Sequence, residues 1–153
     1  MHNEIIITNA NLLDHSEVLK LLIKWFDESL IDGVPKVCAF TGIWLSDMIA
    51  NQIVLIATLN QEIVGTLGLK MGFFPWNNQQ KVIFADFIMT EPTKRHLKVA
   101  DKLIKEAKNI AESLKLTLVA GHFTGRYAEL KDKYLEKMHG FTYGGSNFFY
   151  KGV

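Results

Sequence analysis

The stretch that decides the fold is Asp86-Phe87-Ile88-Met89-Thr90-Glu91-Pro92-Thr93-Lys94-Arg95-His96-Leu97-Lys98-Val99-Ala100. It predicts an apolar strand, a short turn and the start of a long helix. Lys94, Arg95 and Lys98 fall at the start of this helix, where the positive end of the helix dipole ordinarily favours Asp or Glu. Cations beside free backbone N–H groups form a site for an anion such as a pyrophosphate. The stretch therefore predicts a phosphate-binding turn, although three solvated cations would give the same pattern.

The composition narrows the class of protein. The 153 residues fit a single domain spanning 1–153. With 17 Lys and Arg against 16 Asp and Glu, the chain has no overall field to attract nucleic acid or an anionic membrane. One cysteine, Cys38, excludes an internal disulfide and suits a reducing compartment. No apolar run approaches the ~18 residues that span a bilayer. We therefore expect a soluble, cytoplasmic protein without a nucleic-acid or membrane partner.

Apolar periodicity predicts the element order β, α, α, β, β, β, α, β, α, β, β. The predicted strands are 4–8, 53–59, 62–71, 81–90, 116–120, 141–143 and 148–151. The predicted helices are 14–30, 44–49, 97–114 and 127–139, and residues 35–43 and 72–80 are predicted as loops. This order is typical of the α/β (α+β) class, with a mixed sheet of six to seven strands and helices on both faces.

Four segments, together with the element order, resemble the GNAT superfamily of acyl-CoA-dependent N-acyltransferases over nearly the whole chain. The segments are Asn60-Gln61-Glu62-Ile63-Val64-Gly65, Asp86 to Pro92, Arg95-His96-Leu97-Lys98-Val99-Ala100, and Tyr134-Leu135-Glu136-Lys137-Met138-His139-Gly140-Phe141.

The resemblance implies a GNAT-like fold with acetyl-CoA as the acyl donor. Backbone groups around Ile88 and Met89 would pair with the pantetheine arm, in a cleft between the fourth and fifth strands. The pyrophosphate would be held by backbone N–H groups of the turn, which are those of Arg95, His96, Leu97, Lys98, Val99 and Ala100.

Two positions depart from the family's pattern. Lys98 stands where the pyrophosphate loop has its middle Gly, and we expect helical backbone angles that suit Lys. Near the end of the last helix, Glu136 stands where the family usually has Tyr, and Tyr134 comes two residues earlier.

Asp86 is the best sequence candidate for a general base, because it is a lone carboxylate in an otherwise apolar strand. A structural Asp with a partner near a strand break is an equal alternative. His122, just past the fifth strand, is a candidate base or relay, or an ordinary loop histidine. Tyr134 is a candidate proton donor, and Tyr127 and Tyr143 are others.

The predicted function is direct transfer of acetyl from acetyl-CoA to a primary amine of a small molecule or peptide. The alternative is a catalytically degenerate GNAT fold that serves as a CoA-binding, regulatory or assembly module. The histidines show no metal-ligand spacing, so we expect no metal. The aromatic residues Phe73, Phe74 and Trp76 either line a substrate mouth or close over the core. A homodimer through the terminal hairpin, with Phe148 to Tyr150, stays open.

Overall fold

A computed structural model describes residues 4–28, 38–120 and 135–141 of the chain. Within these ranges lie, in chain order, β1 (Ile6–Asn9), α1 (His15–Glu28), α2 (Ala39–Asn51), β2 (Ile53–Leu59), β3 (Glu62–Phe74), β4 (Asn77–Thr90), α3 (Val99–Leu114) and β5 (Thr117–Ala120). Short 3₁₀ helices, Leu12–Asp14 and Pro92–Leu97, lead into α1 and α3. Residues 135–139 are again helical. No helix of the described ranges is both long enough and apolar enough to cross a membrane.

The strands form one sheet in the order β1-β2-β3-β4-β5. Neighbours from β1 to β4 are antiparallel, whereas β5 runs parallel to β4. A parallel neighbour needs a crossover connection, which α3 supplies. The predicted mixed sheet is confirmed for these five strands. The predicted terminal strands fall almost entirely outside the described residues, so a total of six to seven strands stays a prediction.

The apolar strand β2 is covered on both faces, as its composition predicts. Leu55 and Ala57 pack in a buried cluster with the apolar side of α3. Val54 and Ile56, which alternate with them, pack with α1 and α2 on the opposite face. The expected placement of helices on both faces of the sheet is therefore confirmed.

The two hairpins of the sheet differ from one another in how well the sequence predicts them. Asn60-Gln61 forms the expected tight turn between β2 and β3, with φ of 51° and 69°. The predicted loop at 72–80 is wrong, because β3 reaches Phe74 and β4 begins at Asn77, leaving only Pro75 and Trp76 as the turn. Asn and Gln are typical of loops, but here Asn77 pairs with Phe74 on β3. The Asn77 side-chain oxygen accepts the backbone N–H groups of Gln79 and Gln80 at 3.0 and 3.2 Å.

The predicted loop at 35–43 is wrong from residue 39 onward, because α2 begins at Ala39. The backbone N–H of Cys38 donates a hydrogen bond to the Thr41 hydroxyl at 3.1 Å. This contact caps the first turn of α2, although the N-cap residue is Cys38 and not the Ser, Thr, Asp or Asn that ordinarily marks this position.

The start of α3 also differs from the prediction. Lys94 and Arg95 lie in the preceding 3₁₀ helix, and Lys98 adopts the left-handed conformation with φ of 56° and ψ of 35°. The expected helical angles at Lys98 are therefore wrong, since Lys98 is the left-handed residue that links the two helices. The first turn of α3 carries Asp101, an acid of the sign that the helix dipole favours. The cations thus precede the helix rather than oppose its dipole.

Candidate active site

Asp86 lies at an irregularity in the pairing of β3 with β4. Gly68 pairs with Phe87 and Leu69 pairs with Ala85, so Asp86 is an extra residue on β4. Such a β-bulge bends the strand and re-aims its side chains. Ala85 packs against the cluster under α3, whereas Phe87 is buried in the cluster under α1 and α2. The bulge thus places Asp86 where the alternation of β4 changes face.

The Asp86 carboxyl is partly buried, and burial raises its pKa above the ordinary value. The positive charge of Lys70, on the neighbouring strand, lowers the pKa by less. Within the described part of the chain, no residue gives this carboxylate a hydrogen bond or an ion pair. A carboxylate with a raised pKa and no fixed partner is suited to accept a proton near neutral pH.

The described pairing of β4 with β5 ends just before the bulge, at Ala120, the last described residue of β5. The pairing of β4 with β5 runs from Val82 opposite Thr117 to Ala85 opposite Ala120. Among the residues that the structure describes, no strand pairs with the β5 side of the last residues of β4.

The backbone direction at the end of β4 follows from one hydrogen bond. The N–H of Glu91 donates to the carbonyl of Val64 on β3 at 2.8 Å. Because alternate residues of an antiparallel strand direct their backbone groups to opposite edges, the groups of Met89 face β3 and those of Ile88 face the β5 side. Ile88 therefore directs its N–H and carbonyl to the β5 side of β4, two residues from Asp86.

The turn after β4 concentrates cations and free backbone donors. Arg95 and Lys98 are exposed, and Lys94 is half-buried. The N–H groups of Val99 and Ala100 belong to the first turn of α3 and have no carbonyl partner within the helix. This arrangement fits an anion, because first-turn N–H groups and adjacent cations both favour negative charge.

The N-terminus of α3 packs closely against the sheet at Gly65, a contact that the sequence does not predict. A Cβ added to Gly65 would lie 2.5 Å from Val99 Cγ1 and 3.1 Å from Leu103 Cδ1. Val99 and Leu103 are themselves fully buried. α3 can approach β3 this closely only because Gly65 has no side chain. The sequence around Gly65 does not indicate that this residue faces α3.

Asp101, in the same first turn, contacts the last described helical segment. Its Oδ1 lies 3.0 Å from Nε2 of His139, whose side chain is almost fully buried. Lys108, farther along α3, donates to the His139 carbonyl at 2.8 Å. Gly140 then ends this segment with φ of 70°, the left-handed position expected for it. These two contacts connect His139 to α3, whose first turn is part of the predicted anion site.

The predicted site residues fall into two groups. One group lies along β4, the following 3₁₀ helix and the start of α3, and consists of Asp86, Ile88, Met89, Arg95, Leu97, Lys98, Val99 and Ala100, with the backbone of His96. His122, Tyr134 and the side chain of His96 lie outside the described residues. Glu136 is exposed, and its carbonyl accepts the N–H of Gly140 at 3.1 Å.

The described residues also bear on metal binding. Residues 4–28, 38–120 and 135–141 contain no cluster of at least three His, Cys, Asp or Glu that could hold a metal ion. Cys38 is exposed and not in a disulfide.

No protein-family model matches this sequence, and no protein of curated function is detectably similar to it. Solved structures are similar over nearly the full length. A ribosomal-protein-alanine N-acetyltransferase from Brucella melitensis biovar Abortus 2308 superposes with a TM-score of 0.74 at 17% identity, covering 98% of this chain and 99% of that one. Aminoglycoside N-acetyltransferase AAC(6')-Iy, in complex with CoA, gives 0.73 at 16% identity, covering 99% and 97%.

A GNAT family acetyltransferase from Staphylococcus aureus subsp. aureus USA300_TCH1516 gives a TM-score of 0.65 at 15% identity, covering 95% of this chain and 97% of that one. At such identities the similarity is one of fold. The resemblance to the GNAT superfamily stated from the sequence is confirmed at that level.

Proposed function

From this GNAT fold, we propose that the chain is a single-domain N-acetyltransferase. It transfers the acetyl group of acetyl-CoA directly to a primary amine of a small molecule or a peptide. The observation that carries the proposal is Asp86, a partly buried carboxylate with a raised pKa, in a bulge two residues before the Ile88 backbone groups that face the β5 side of β4. A cytoplasmic location is consistent with the chain's single cysteine.

The end of β4 and the following turn would hold the acyl donor. The similar structure that contains CoA motivates this assignment. Of the two residues considered for the pantetheine arm, we choose Ile88, because its backbone groups face the β5 side of β4. Its carbonyl would accept a hydrogen bond from the arm, which leaves its N–H for the thioester oxygen. The pyrophosphate would accept hydrogen bonds from the N–H groups of Val99 and Ala100, with Arg95 and Lys98 supplying positive charge.

The chemistry assigns Asp86 a proton-transfer role. An alkylamine with a pKa near ~10 is mostly protonated at neutral pH, so its ammonium must first lose a proton to Asp86, directly or through water. The neutral nitrogen then attacks the thioester carbon, and an N–C bond forms as the C–S bond breaks. The excess proton on nitrogen goes to the departing CoA thiolate. The N–H of Ile88 would stabilise the developing oxyanion, and Tyr134 and His122 stay candidates for relaying the second proton.

Release of free thiol from acetyl-CoA, followed across a panel of amines, tests this function. We expect Asp86→Asn to lower kcat/KM about 10²- to 10⁴-fold, the usual contribution of a general base. Glu62→Gln is the matched control, because Glu62 is an exposed carboxylate of the same hairpin, six residues along β3 from the Gly68 that lies beside Asp86. Equal rates for Asp86→Asn and the parent protein would contradict the assignment of the base.

Lys98 favours a second candidate function, a fold that binds CoA or nothing and serves as a regulatory or assembly module. A lysine side chain at a left-handed position occupies space that a glycine would leave for a phosphate. This candidate predicts no acetylation of any amine, and it predicts that Lys98→Gly leaves the module's function unchanged.

A further inference from the structure

The last residue of β4, Thr90, carries a buried hydroxyl without a hydrogen-bond partner. Thr90 is 9% exposed, and none of the described residues forms a hydrogen bond with its Oγ1. By contrast, the hydroxyl of Thr66, which is fully buried on β3, donates to the Leu55 carbonyl at 3.0 Å. Folded proteins pair nearly all of their buried polar groups, because an unpaired buried hydroxyl is destabilising. The Thr90 hydroxyl therefore calls for a partner from outside the chain.

The Thr90 side chain lies on the face of the sheet that α3 covers. Thr90 pairs with Gly65 on β3, and directly paired residues of neighbouring strands point to the same face, about 5 Å apart. Gly65 faces α3, because a Cβ there would lie 2.5 Å from Val99 Cγ1. Ile88, two residues before Thr90, likewise packs against the cluster under α3. Thr90 and Val99 thus both adjoin Gly65, so the hydroxyl lies close to the first turn of α3.

Two carboxylates adjoin this position along the chain, and each has a partner on another element. Glu91, the residue after Thr90, accepts a hydrogen bond from the Lys24 ammonium of α1 at 2.5 Å. Asp101, in the first turn of α3, has its Oδ1 3.0 Å from Nε2 of His139. Lys24 offsets the charge of Glu91, and the contact with His139 holds the Asp101 carboxylate toward the segment 135–139. The N–H groups of the first turn therefore keep their preference for a bound anion.

We propose that Thr90 binds the acyl donor, with its Oγ1–H donating a hydrogen bond to an oxygen of the pyrophosphate. The same group accepts the N–H groups of Val99 and Ala100, so the side chain and the helix N-terminus bind one anion together. The phosphate supplies the acceptor that the fold itself does not give this hydroxyl, and a hydrogen bond to a charged oxygen is among the stronger ones. This inference rests on the proposed function for the identity of the ligand, but it needs neither Asp86 nor turnover.

Calorimetric titration with CoA, together with thermal melts of the ligand-free protein, tests the role of Thr90. Thr90→Val removes the hydroxyl and keeps the shape of the side chain. We expect this variant to raise the Kd of CoA about 10-fold, the effect of losing one hydrogen bond to a charged group. Its Tm should not fall, because no bond within the protein is lost. Thr90→Ser keeps the hydroxyl and should retain a Kd within about threefold of the parent value.

Thr66→Val is the matched control, because it makes the same chemical change at a buried threonine whose hydroxyl has a partner. Thr66 follows Gly65 on β3, so its side chain points to the face opposite α3. We expect Thr66→Val to lower the Tm by about 2–4 °C and to leave the Kd of CoA unchanged. The two variants should thus differ from the parent in opposite measurements.

ADP tests which part of CoA the hydroxyl binds, since it carries the pyrophosphate without the pantetheine arm. We expect Thr90→Val to raise the Kd of ADP by the same factor as the Kd of CoA. If the parent protein and Thr90→Val bound ADP equally, or if the parent bound CoA but not ADP, the hydroxyl would not be a pyrophosphate ligand.

The outcomes separate this inference from the proposed function. Acetylation that depends on Asp86, with CoA binding that is insensitive to Thr90→Val, would leave the hydroxyl to water and keep the enzyme. A fall in Tm for Thr90→Val like that of Thr66→Val would reveal a partner within the protein and overturn the inference. If no amine is acetylated but CoA and ADP binding both depend on the Thr90 hydroxyl, the assignment of Thr90 stands and the acetyltransferase function fails.

Discussion

At the scale of single residues, Asp86 combines two properties that are hard to hold together. Its carboxylate is desolvated enough for burial to raise the pKa, yet it has no hydrogen-bond or ion-pair partner in the described chain. A structural aspartate would be expected to gain stability from a partner, whereas a general base must keep its carboxylate available. The two roles considered from the sequence therefore predict opposite effects on stability.

The stability of Asp86→Asn as a function of pH tests which role is correct. Burial raises the pKa of Asp86 in the folded state above its pKa in the unfolded state, so the folded protein binds this proton more tightly. The stability of the parent protein therefore falls as pH rises from the unfolded-state pKa to the folded-state pKa of Asp86. We expect Asp86→Asn to match the parent protein near pH ~4 and to become more stable than it toward pH 7, in thermal melts. A variant that is less stable at pH 7 would instead indicate a partnered, structural carboxylate.

Among the described residues, the lysines with left-handed backbone are Lys98 and Lys115, at φ of 56° and 54°. Left-handed angles cost a residue with a Cβ roughly 1 kcal/mol relative to Gly. We expect Lys98→Gly and Lys115→Gly each to raise the free energy of unfolding by about 1 kcal/mol, as measured in urea.

Only Lys98→Gly should alter binding of acetyl-CoA, because Lys115 ends α3 far from its first turn. Loss of one cation near a phosphate corresponds to about 1 kcal/mol, or roughly a fivefold weaker Kd. Equal Kd values for the two variants would place the pyrophosphate elsewhere.

The conformation of Lys98 also shows where sequence reasoning fails at this scale. Lysine favours right-handed helix, so its intrinsic preference predicts the wrong angles. A single left-handed residue links the 3₁₀ helix to α3, and the junction of these two helices overrides the preference. By contrast, Asp86 could be identified, because a charge within an apolar strand is visible in the sequence alone.

At the scale of elements, the contact between β3 and α3 positions the proposed anion site. Gly65→Ala would place a Cβ 2.5 Å from Val99 and push the first turn of α3 from the sheet. We expect a loss of about 1–3 kcal/mol in unfolding free energy, typical of overpacking, together with weaker acetyl-CoA binding by calorimetry.

Gly42→Ala is the control for this prediction. Gly42 lies inside α2, and its nearest neighbour to an added Cβ is 3.8 Å away, an ordinary contact. Replacing a helical glycine with alanine should stabilise the protein by about 0.5–1 kcal/mol and leave acetyl-CoA binding unchanged. If Gly65→Ala behaved like Gly42→Ala, the close approach of α3 would not matter to the site.

Elements with strong periodicity could be predicted, and those defined by tertiary pairing could not. β2 was predicted with its observed bounds, 53–59, because its apolar run is continuous and flanked by turn residues. Residues 77–80 of β4, Asn-Asn-Gln-Gln, have the composition of a loop. Their extended conformation accompanies the pairing of Asn77 with Phe74 and the bonds from the Gln79 and Gln80 N–H groups to the Asn77 side chain, none of which composition reveals. Likewise, the bulge at Asp86 is a property of register, which one strand's sequence does not contain.

At the scale of the whole molecule, the order of elements was the most informative signal. Consecutive strands that pair as neighbours, with one helical crossover to β5, leave few possible arrangements. The proposed site is different, since it brings together a bulge, the last residues of a strand and a left-handed turn. Each of these depends on contacts between elements, so the sequence predicted which residues to consider but not their geometry.

Titration of the protein with acetyl-CoA by calorimetry tests the central claim, that this fold binds an acyl-CoA at the turn after β4. We predict a micromolar Kd that Arg95→Ala weakens at least roughly fivefold, and that Lys20→Ala, an exposed cation of α1, leaves unchanged. The absence of binding at millimolar acetyl-CoA, or equal weakening in both variants, would contradict the account.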